Sequence, residues 1–309
     1  MIRVEGVSHH FGQLQVLHDV WFHVPAGEVF GFIGPNGAGK TTTLRMMATL
    51  LEPAEGRVLV DGYDVSERPA DVRRVLGFMP DGFGVYDNLT VTEYLEFFAA
   101  SYGIGPEARL RTVRAVMELT DLGPLEDRLV QAMSKGMKQR LAIARTLLHD
   151  PKVLVLDEPA NGLDPRARIE MRDLIAQLRQ LGKTIVLSSH ILTELSDMVT
   201  SVAILERGRM LATGPVGDIG EKLRPERVVR LRLADYPEGC DRPLRDLPAV
   251  THVERGPDGD LRVGYRGKEE VVAQIVRAAV QAELSVLRVE PERDDLEQIF
   301  LEVTKGELQ

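Results

Sequence analysis

The run Gly34-Pro35-Asn36-Gly37-Ala38-Gly39-Lys40-Thr41 leaves this chain few ways to fold. It fits the pattern G-x-x-x-x-G-K-[ST] in full, and its surroundings fit too. The compact apolar run Glu28 to Ile33 precedes it, and from Lys40 to Leu51 the composition turns helical. Glycines let successive backbone N–H groups turn inward around an anion. The helix that follows adds the partial positive charge of its N-terminus. Lys40 supplies a point charge for outer phosphates, and the Thr41 hydroxyl, with Thr42 beside it, suits Mg²⁺. Gly34, Pro35, Asn36, Gly37, Ala38, Gly39, Lys40, Thr41 and Thr42 are therefore candidate nucleotide-binding residues, with ATP and Mg²⁺ as the expected ligands.

A strand–loop–helix start of this kind calls for a mostly parallel sheet, and the rest of the chain supplies the parts. Arg3 to Val7 and Val16 to Val24 read as strands broken by Gly12, and Arg57 to Val60 and Leu76 to Met79 as further strands. From Asn88 to Asp150 the pattern is helical, opened by a possible capping box at Thr90 and Glu93. Val153 to Leu156 and Thr184 to Leu187 are buried-strand candidates, with the amphipathic helix Arg166 to Leu181 between them. Val202 to Leu205 and Met210 to Thr213 flank Arg207-Gly208 as a hairpin. The expectation is an α/β fold: a P-loop NTPase sheet, an antiparallel β subdomain and a helical insertion over about residues 88–150.

Beyond about Arg224 the texture changes. Val228 to Leu233, Val250 to Glu254, Leu261 to Tyr265 and Ser285 to Val289 read as strands; Glu269 to Ala282 and Asp294 to Val303 read as helices, and Asp241 to Leu247 as a short one. The order is strand, helix, strand, strand, helix, strand, a ferredoxin-like order. Two domains follow, residues 1–220 and 225–309.

Composition sets the outer limits. The 309 residues carry a formal net charge of −9, which gives no overall pull toward nucleic acid. The sole cysteine, Cys240, allows no internal disulfide and fits a reducing compartment. The opening MIRVEGVSHHF does not read as a secretory signal, and no stretch approaches the ~20 apolar residues of a spanning helix. A membrane role, if any, is expected to come from docking onto another protein.

Two acids close the strand Val153-Leu154-Val155-Leu156-Asp157-Glu158-Pro159. Neighbouring strand residues face opposite ways, so the two carboxylates are free to hold different jobs. Ligand sites in open α/β sheets lie at the carboxyl ends of strands. Asp157 suits Mg²⁺ coordination, and Glu158 suits activation of an attacking water. A solvated acidic turn explains such a pair equally well when it stands alone, but much less well beside a complete phosphate loop. His190, after Ser188 and Ser189, suits a bond to a γ-phosphate oxygen, although alone it reads as a capping or core histidine.

With these segments in order, residues 1 to about 220 resemble the ATP-binding cassette family, specifically the nucleotide-binding subunit of a transporter. Phe11 stands where the family has an aromatic that stacks on adenine. Asp81, in Phe78-Met79-Pro80-Asp81, stands at the glutamine-loop position, where the resemblance implies a contact to the metal or its water. Met133-Ser134-Lys135-Gly136-Met137 matches the signature segment, Asn161-Gly162-Leu163-Asp164 the loop after the acidic pair, and His190 the switch histidine. The resemblance implies that two cassettes pack head to tail, with Ser134 and Gly136 serving the partner's nucleotide from the start of a helix Lys138 to Leu148. It implies Glu158 and His190 as catalytic residues and Thr41, Asp81 and Asp157 around the metal. It also implies a homodimer on separate transmembrane permease subunits, at the inner face of the cell membrane, with residues near Gly82 to Leu89 and Tyr86 facing the membrane partner.

The sequence departs from the family pattern at four places. Asp81 replaces glutamine and cannot donate an amide hydrogen. Lys135 and Met137 replace a glycine and a glutamine, and solvent is the favoured direction for Lys135. Phe11 lacks a hydroxyl. Asp81, the segment Ser134 to Arg140 and the close Leu296 to Glu302 together resemble drug- or lipid-type exporters with an accessory C-terminal domain. That domain has no catalytic constellation, so a dimerisation, regulatory or stabilising role is expected. The alternatives are a non-transport ATP switch on a ribosome or other macromolecule, and a module that binds ATP without turnover.

Overall fold

Alternating burial builds the first two strands. β1 (Ile2–Phe11) buries Ile2, Val4 and Val7, and β2 (Leu14–Val24) buries Leu17, Val20, Phe22 and Val24, the period of two of a sheet with one covered face, broken by a three-residue step in each strand where the register shifts. They pair antiparallel across a turn in which Gly12 takes φ 59. β3 (Val29–Ile33) is buried at every position, as a strand covered on both faces must be. The polypeptide then passes through the glycine-rich loop into α1 (Lys40–Met47).

The chain is seen in a computed structural model that describes residues 1–82, 84, 86–191, 195, 198–216, 218, 226–237, 239–256, 259–267 and 269–291. After α1 come β4 (Glu55–Val60) and β5 (Tyr63–Asp64), which join the first hairpin in an antiparallel sheet of order β2-β1-β4-β5. Next are α2 (Pro69–Val75), with proline in its first turn, and β6 (Leu76–Met79). The helical block holds α3 (Val91–Ser101), α4 (Pro106–Leu119) and α5 (Lys135–Leu147). The capping box at α3 is present: the Glu93 N–H donates to the Thr90 hydroxyl at 3.2 Å, and the Thr90 N–H donates to the Glu93 carboxylate at 2.8 Å. β7 (Val153–Leu156), α6 (Pro165–Gln180), β8 (Thr184–Ser189), β9 (Ser201–Glu206) and β10 (Arg209–Pro215) complete the first unit.

The main sheet has the order β10-β9-β3-β8-β7-β6. All its pairs are parallel except β9 with β10, the hairpin across Arg207-Gly208. One core joins both sheets to α1, with Val4, Phe22, Phe30, Phe32, Leu44, Met46, Val58 and Val155 in it. The glycine-rich loop is therefore pinned on the side that faces the core.

Two points differ from the sequence reading. The signature helix begins at Lys135 and not at Lys138, because the Ser134 hydroxyl caps it by accepting the Met137 N–H at 3.3 Å. α2 and β5 were not foreseen: each is short, and α2 has only Val72 fully buried, so its apolar periodicity is weak. The helix expected over Asp294 to Val303 lies outside the described residues.

The second unit starts after residue 216. Its described elements are β11 (Glu226–Leu233), α7 (Arg242–Arg245), β12 (Val250–Arg255), β13 (Leu261–Arg266), α8 (Glu269–Gln281) and β14 (Val286–Pro291). Its antiparallel sheet has the order β12-β13-β11-β14. Val229, Leu231, Val263 and Tyr265 pack with Leu244 of α7 and Ile275 and Ala279 of α8. On the alternate positions, Glu254, Arg262, Arg230 and Glu290 stand in register across all four strands.

Backbone contact at Gly56 supplies a stability test. A Cβ there would lie 2.3 Å from the Gly6 carbonyl oxygen, at φ 77. Gly62 has φ 83 but open space around it. Gly62→Ala is expected to cost roughly 1 kcal/mol from backbone strain alone, and Gly56→Ala on the order of 3 kcal/mol or more. Chemical denaturation of the two variants measures the gap; equal losses would remove the steric account of the β1–β4 contact.

Candidate functional site

The site grows from the register of three parallel strands. β3 pairs with β8 and β8 with β7, so the chain leaves all three at one edge of the sheet. Out of β3 comes the glycine-rich loop. Gly34 is held by its N–H to the Ser189 carbonyl at 3.3 Å, and a Cβ there would lie 2.2 Å from the Leu205 carbonyl oxygen of β9. Close backbone approach, rather than a positive φ, therefore accounts for Gly34. Gly37 (φ 79) and Gly39 (φ 106) do take left-handed angles, and the Ala38 N–H turns back to the Pro35 carbonyl at 3.1 Å. Asn36 and Gly37 are exposed at the tip, and Thr41 and Thr42 are half-buried. Gly39 caps α1 without any side-chain bond, which leaves first-turn N–H groups to face an anion.

Buried charges converge behind this loop. Lys40 is 6% exposed, Asp157 1% and Glu158 8%. The Lys40 ammonium donates to the Gly34 carbonyl at 2.7 Å and to the Pro35 carbonyl at 3.3 Å, and lies 3.6 Å from Glu158 Oε1. His190 Nδ1 is 2.9 Å from Glu158 Oε2. Ser188 joins the two acids: its hydroxyl donates to Asp157 Oδ1 at 2.5 Å and accepts the Glu158 N–H at 2.9 Å. β7 ends at Leu156, so strand alternation does not separate the two carboxylates as the sequence reading supposed. The left-handed turn at Glu158, φ 52, re-aims it instead, held by Ser188 in front and by the Asn161 N–H on its carbonyl at 3.1 Å.

The comparisons with known proteins agree with this architecture. The family model described as ABC transporter matches residues 17–161. The bacitracin transport ATP-binding protein BcrA of Bacillus licheniformis is 33% identical over 312 residues, covering 99% of this chain and 98% of that protein. The chain belongs to the ATP-binding subunits of ABC transporters. It binds ATP, and the hydrolysis of ATP powers transport. The NatA ATP-binding protein of Bacillus subtilis (strain 168) is 38% identical over 231 residues, covering 73% of this chain and 94% of that protein. A solved ATP-binding subunit of an ABC transporter superposes with a TM-score of 0.64 at 32% identity, covering 72% of this chain and 92% of that one.

Within this ABC subunit, Lys40, Thr41, Asp157, Glu158 and His190 come together, and other expected residues stand apart. Asp81 is exposed, just beyond β6; its charge reaches Asp157, whose N–H bonds the Met79 carbonyl at 2.8 Å. Phe11 is 52% exposed at the end of β1. No hydrogen bond or ion pair among the described residues joins Ser134 or Gly136 to the charged cluster. Ser134 is exposed, and a Cβ on Gly136 would touch Ala167 at 3.1 Å and Leu163 at 3.4 Å. Lys135 is exposed, but its chain crosses Gly162, whose added Cβ would sit 2.5 Å from the ammonium. Gln139 on the same helix donates to the Asn161 carbonyl at 3.3 Å. The signature helix and the loop after the acidic pair are thus in contact.

Sequence reasoning missed Ser188. The sequence shows only a serine at the end of an apolar run; its place beside the acid-bearing strand comes from the β7–β8 register. It also missed the brace behind the loop. The Gly208 N–H donates to the Ala38 carbonyl at 2.9 Å, and Leu17 and Val16 of β2 crowd Gly39.

Burial governs the site's electrostatics. It pulls the Lys40 ammonium below its ordinary range, opposed by Glu158 and Asp157. It pushes the Asp157 carboxyl up, opposed by hydroxyls of Ser188 and Thr41. A raised carboxyl means that ionised Asp157 costs stability at neutral pH, a cost that disappears as pH falls through its folded value. Asp157→Asn keeps an oxygen for Ser188 and removes the buried charge. The variant is expected to melt roughly 2–4 °C higher, about 1 kcal/mol, at neutral pH. The gain should shrink toward acid pH in calorimetry, and a lower midpoint at neutral pH would contradict the burial argument.

Proposed function

We propose that this subunit works as a head-to-tail homodimer that drives an export permease. Glu158 then activates the water that attacks ATP, and Ser134 and Gly136 close on the nucleotide held by the partner. The observation that carries the reading is the linked set of Lys40, Glu158 and His190 at one sheet edge: one carboxylate touches a cation on one oxygen and an imidazole on the other. Lys40 and the N–H groups of the loop hold the β- and γ-phosphates. His190, its Nδ1 bonded to Glu158, turns Nε2 toward the γ-phosphate. Phe11 offers an exposed ring face for the base.

Mg²⁺ fits the residues present. No group of three metal-ligating side chains exists among the described residues. Mg²⁺ bound to nucleotides, however, needs only one or two protein ligands beside phosphate oxygens and water. The Thr41 hydroxyl and the buried Asp157 carboxylate face each other, with the charge of Asp81 nearby, and these three would hold it. When bound, the ion neutralises charge that develops on the phosphates. The buried acids outnumber Lys40, so a cation here also relieves their repulsion.

The dimer reading rests on distance. Ser134 and Gly136 form the first turn of a capped helix and touch none of the charged cluster in their own chain, which suits a role across an interface. The permease reading rests on the exposed aromatics Tyr86 and Phe97, edge to face at 5.4 Å beside a shallow cavity that Asp87, Asn88 and Leu89 also line. Phe83 and Val85 of that loop lie outside the described residues. No described helix is long and apolar enough to cross a membrane. On this reading the permease holds the subunit at the cytoplasmic face of the membrane. A drug or antibiotic class of cargo follows the named roles of relatives, such as the linearmycin resistance ATP-binding protein LnrL of Bacillus subtilis (strain 168), 28% identical over 98% of both chains. Residues 225–309 act as an accessory domain. Its order β12-β13-β11-β14 supports a ferredoxin-like reading, since the last strand lies beside the first and the third beside the second.

Glu158→Gln tests the central claim. ATP binding should persist, steady-state phosphate release should fall by at least about 10²-fold, and ATP should drive a stable dimer in sedimentation. Unchanged turnover removes Glu158 from the chemistry, and a variant that stays monomeric with ATP removes the paired-site reading.

A further inference from the structure

Next to the exposed Phe11 lies a histidine with no evident employment. His9 is 8% exposed, and neither of its ring nitrogens makes a hydrogen bond of ordinary geometry. Burying a polar ring that lacks a well-formed hydrogen bond costs free energy, so its place in the fold needs a reason. Burial, with His10 beside it, pulls its pKa below the usual imidazole range, against a weaker contact from the Glu52 backbone. Its one close aromatic partner in the site is Phe11, at 4.8 Å between centroids and 79° between planes. That is the edge-to-face geometry aromatic rings favour. His10 stacks on it more loosely, at 6.2 Å between centroids.

The two rings meet where the β1–β2 ladder is irregular. Residues two apart in a strand share a face but stand further apart than this in a regular ladder. The β1–β2 register shifts both before His9 and between His9 and His10, with the extra residues on β2 opposite them, so the ladder around His9 is irregular. His9 also lies opposite Leu17 in the ladder, and Leu17 is the side chain that crowds Gly39 of the phosphate loop. His9 therefore sits between the exposed ring and the brace of the loop.

We propose that His9 is a positioning residue, a buried ring that props Phe11 at a fixed setting relative to the phosphate loop and so strengthens binding of the adenine base. The proposal rests on the reading of Phe11 as the base platform. Its chemistry is shape and ring edge, not proton transfer, so phenylalanine should substitute for histidine at this place and alanine should not. The prop acts on the base alone and leaves the phosphates indifferent to it.

Binding of ATP and of inorganic tripolyphosphate to the full-length chain separates the terms, with Mg²⁺ present and heats measured by titration calorimetry. His9→Ala is expected to weaken ATP roughly three- to tenfold and to leave tripolyphosphate unchanged, which also reports an intact loop. His9→Phe is expected to recover ATP binding to near the parent value. Phe11→Ala should weaken ATP at least as much as His9→Ala. If Phe11→Ala weakens ATP and His9→Ala does not, the prop is refuted while the platform stands. If Phe11→Ala has no effect, the platform reading fails and the prop falls with it. If His9→Phe binds as poorly as His9→Ala, the imidazole nitrogens matter and the ring-edge account is overturned. Equal losses for ATP and tripolyphosphate in His9→Ala would assign His9 to holding the loop, not the base.

Discussion

Three charged side chains buried at one edge of a sheet are the constraint that the rest of the first unit serves. Lys40, Asp157 and Glu158 are each less than a tenth exposed, and ions held that far from water are costly unless neighbours compensate. The compensation here is largely backbone and hydroxyl. Lys40 is taken up by two carbonyls of its own loop, Asp157 by Ser188, and Glu158 by Lys40 and His190. The charges and their partners come from the ends of just three strands, β3, β7 and β8, so the cluster exists only if those strands are parallel and in register. The apolar core under α1 and the close approach of Gly34 to the Leu205 carbonyl seat the loop that follows β3.

The same demand explains where the backbone departs from ordinary angles. Glu158 takes a left-handed conformation that L-residues adopt reluctantly. Two hydrogen bonds fix it, one from its N–H to Ser188 and one from Asn161 to its carbonyl. Strain stored at such a point orients a side chain that would otherwise follow the strand, which is how two adjacent acids come to face different partners. Asn161 also lends its carbonyl to Gln139 of the signature helix. The geometry of Glu158 and the position of the signature are thus linked through one loop residue.

Much of this was legible in the sequence, and for identifiable reasons. The phosphate loop and the four-residue strand Val153 to Leu156 announce themselves because local sequence dictates them: glycines at fixed spacing in one case, unbroken apolar burial in the other. The second unit's strands were legible through alternation, as at Val229, Leu231 and Leu233. What stayed hidden depends on contacts between distant segments. Ser188 looks like any serine until β8 is laid beside β7. Gly34 looks like a turn glycine until the Leu205 carbonyl is found against it, and the start of the signature helix was placed late because a cap bond, not periodicity, sets it. His9 reads as a strand residue like its neighbours, since burial of a polar ring is a property of the folded hairpin.

A division of labour follows from what the charged cluster does not contain. Had Ser134 and Gly136 been built to act on their own chain's nucleotide, the fold would have to bring the start of α5 to the loop before α1. It directs that start instead onto Leu163, Ala167 and Asn161. Its polar face is left exposed, with Ser134 at the cap and Lys135 laid over Gly162. A helix start that is rigidly seated on its own chain, yet open on the side away from it, is suited to meet a second surface. In such an arrangement the loop from Glu158 to Asp164 touches both the acid that would activate water and the helix that would cap a neighbour's phosphate. Closure of two subunits and readiness for hydrolysis would then be set by the same few residues, because Asn161 bonds to both sides at once.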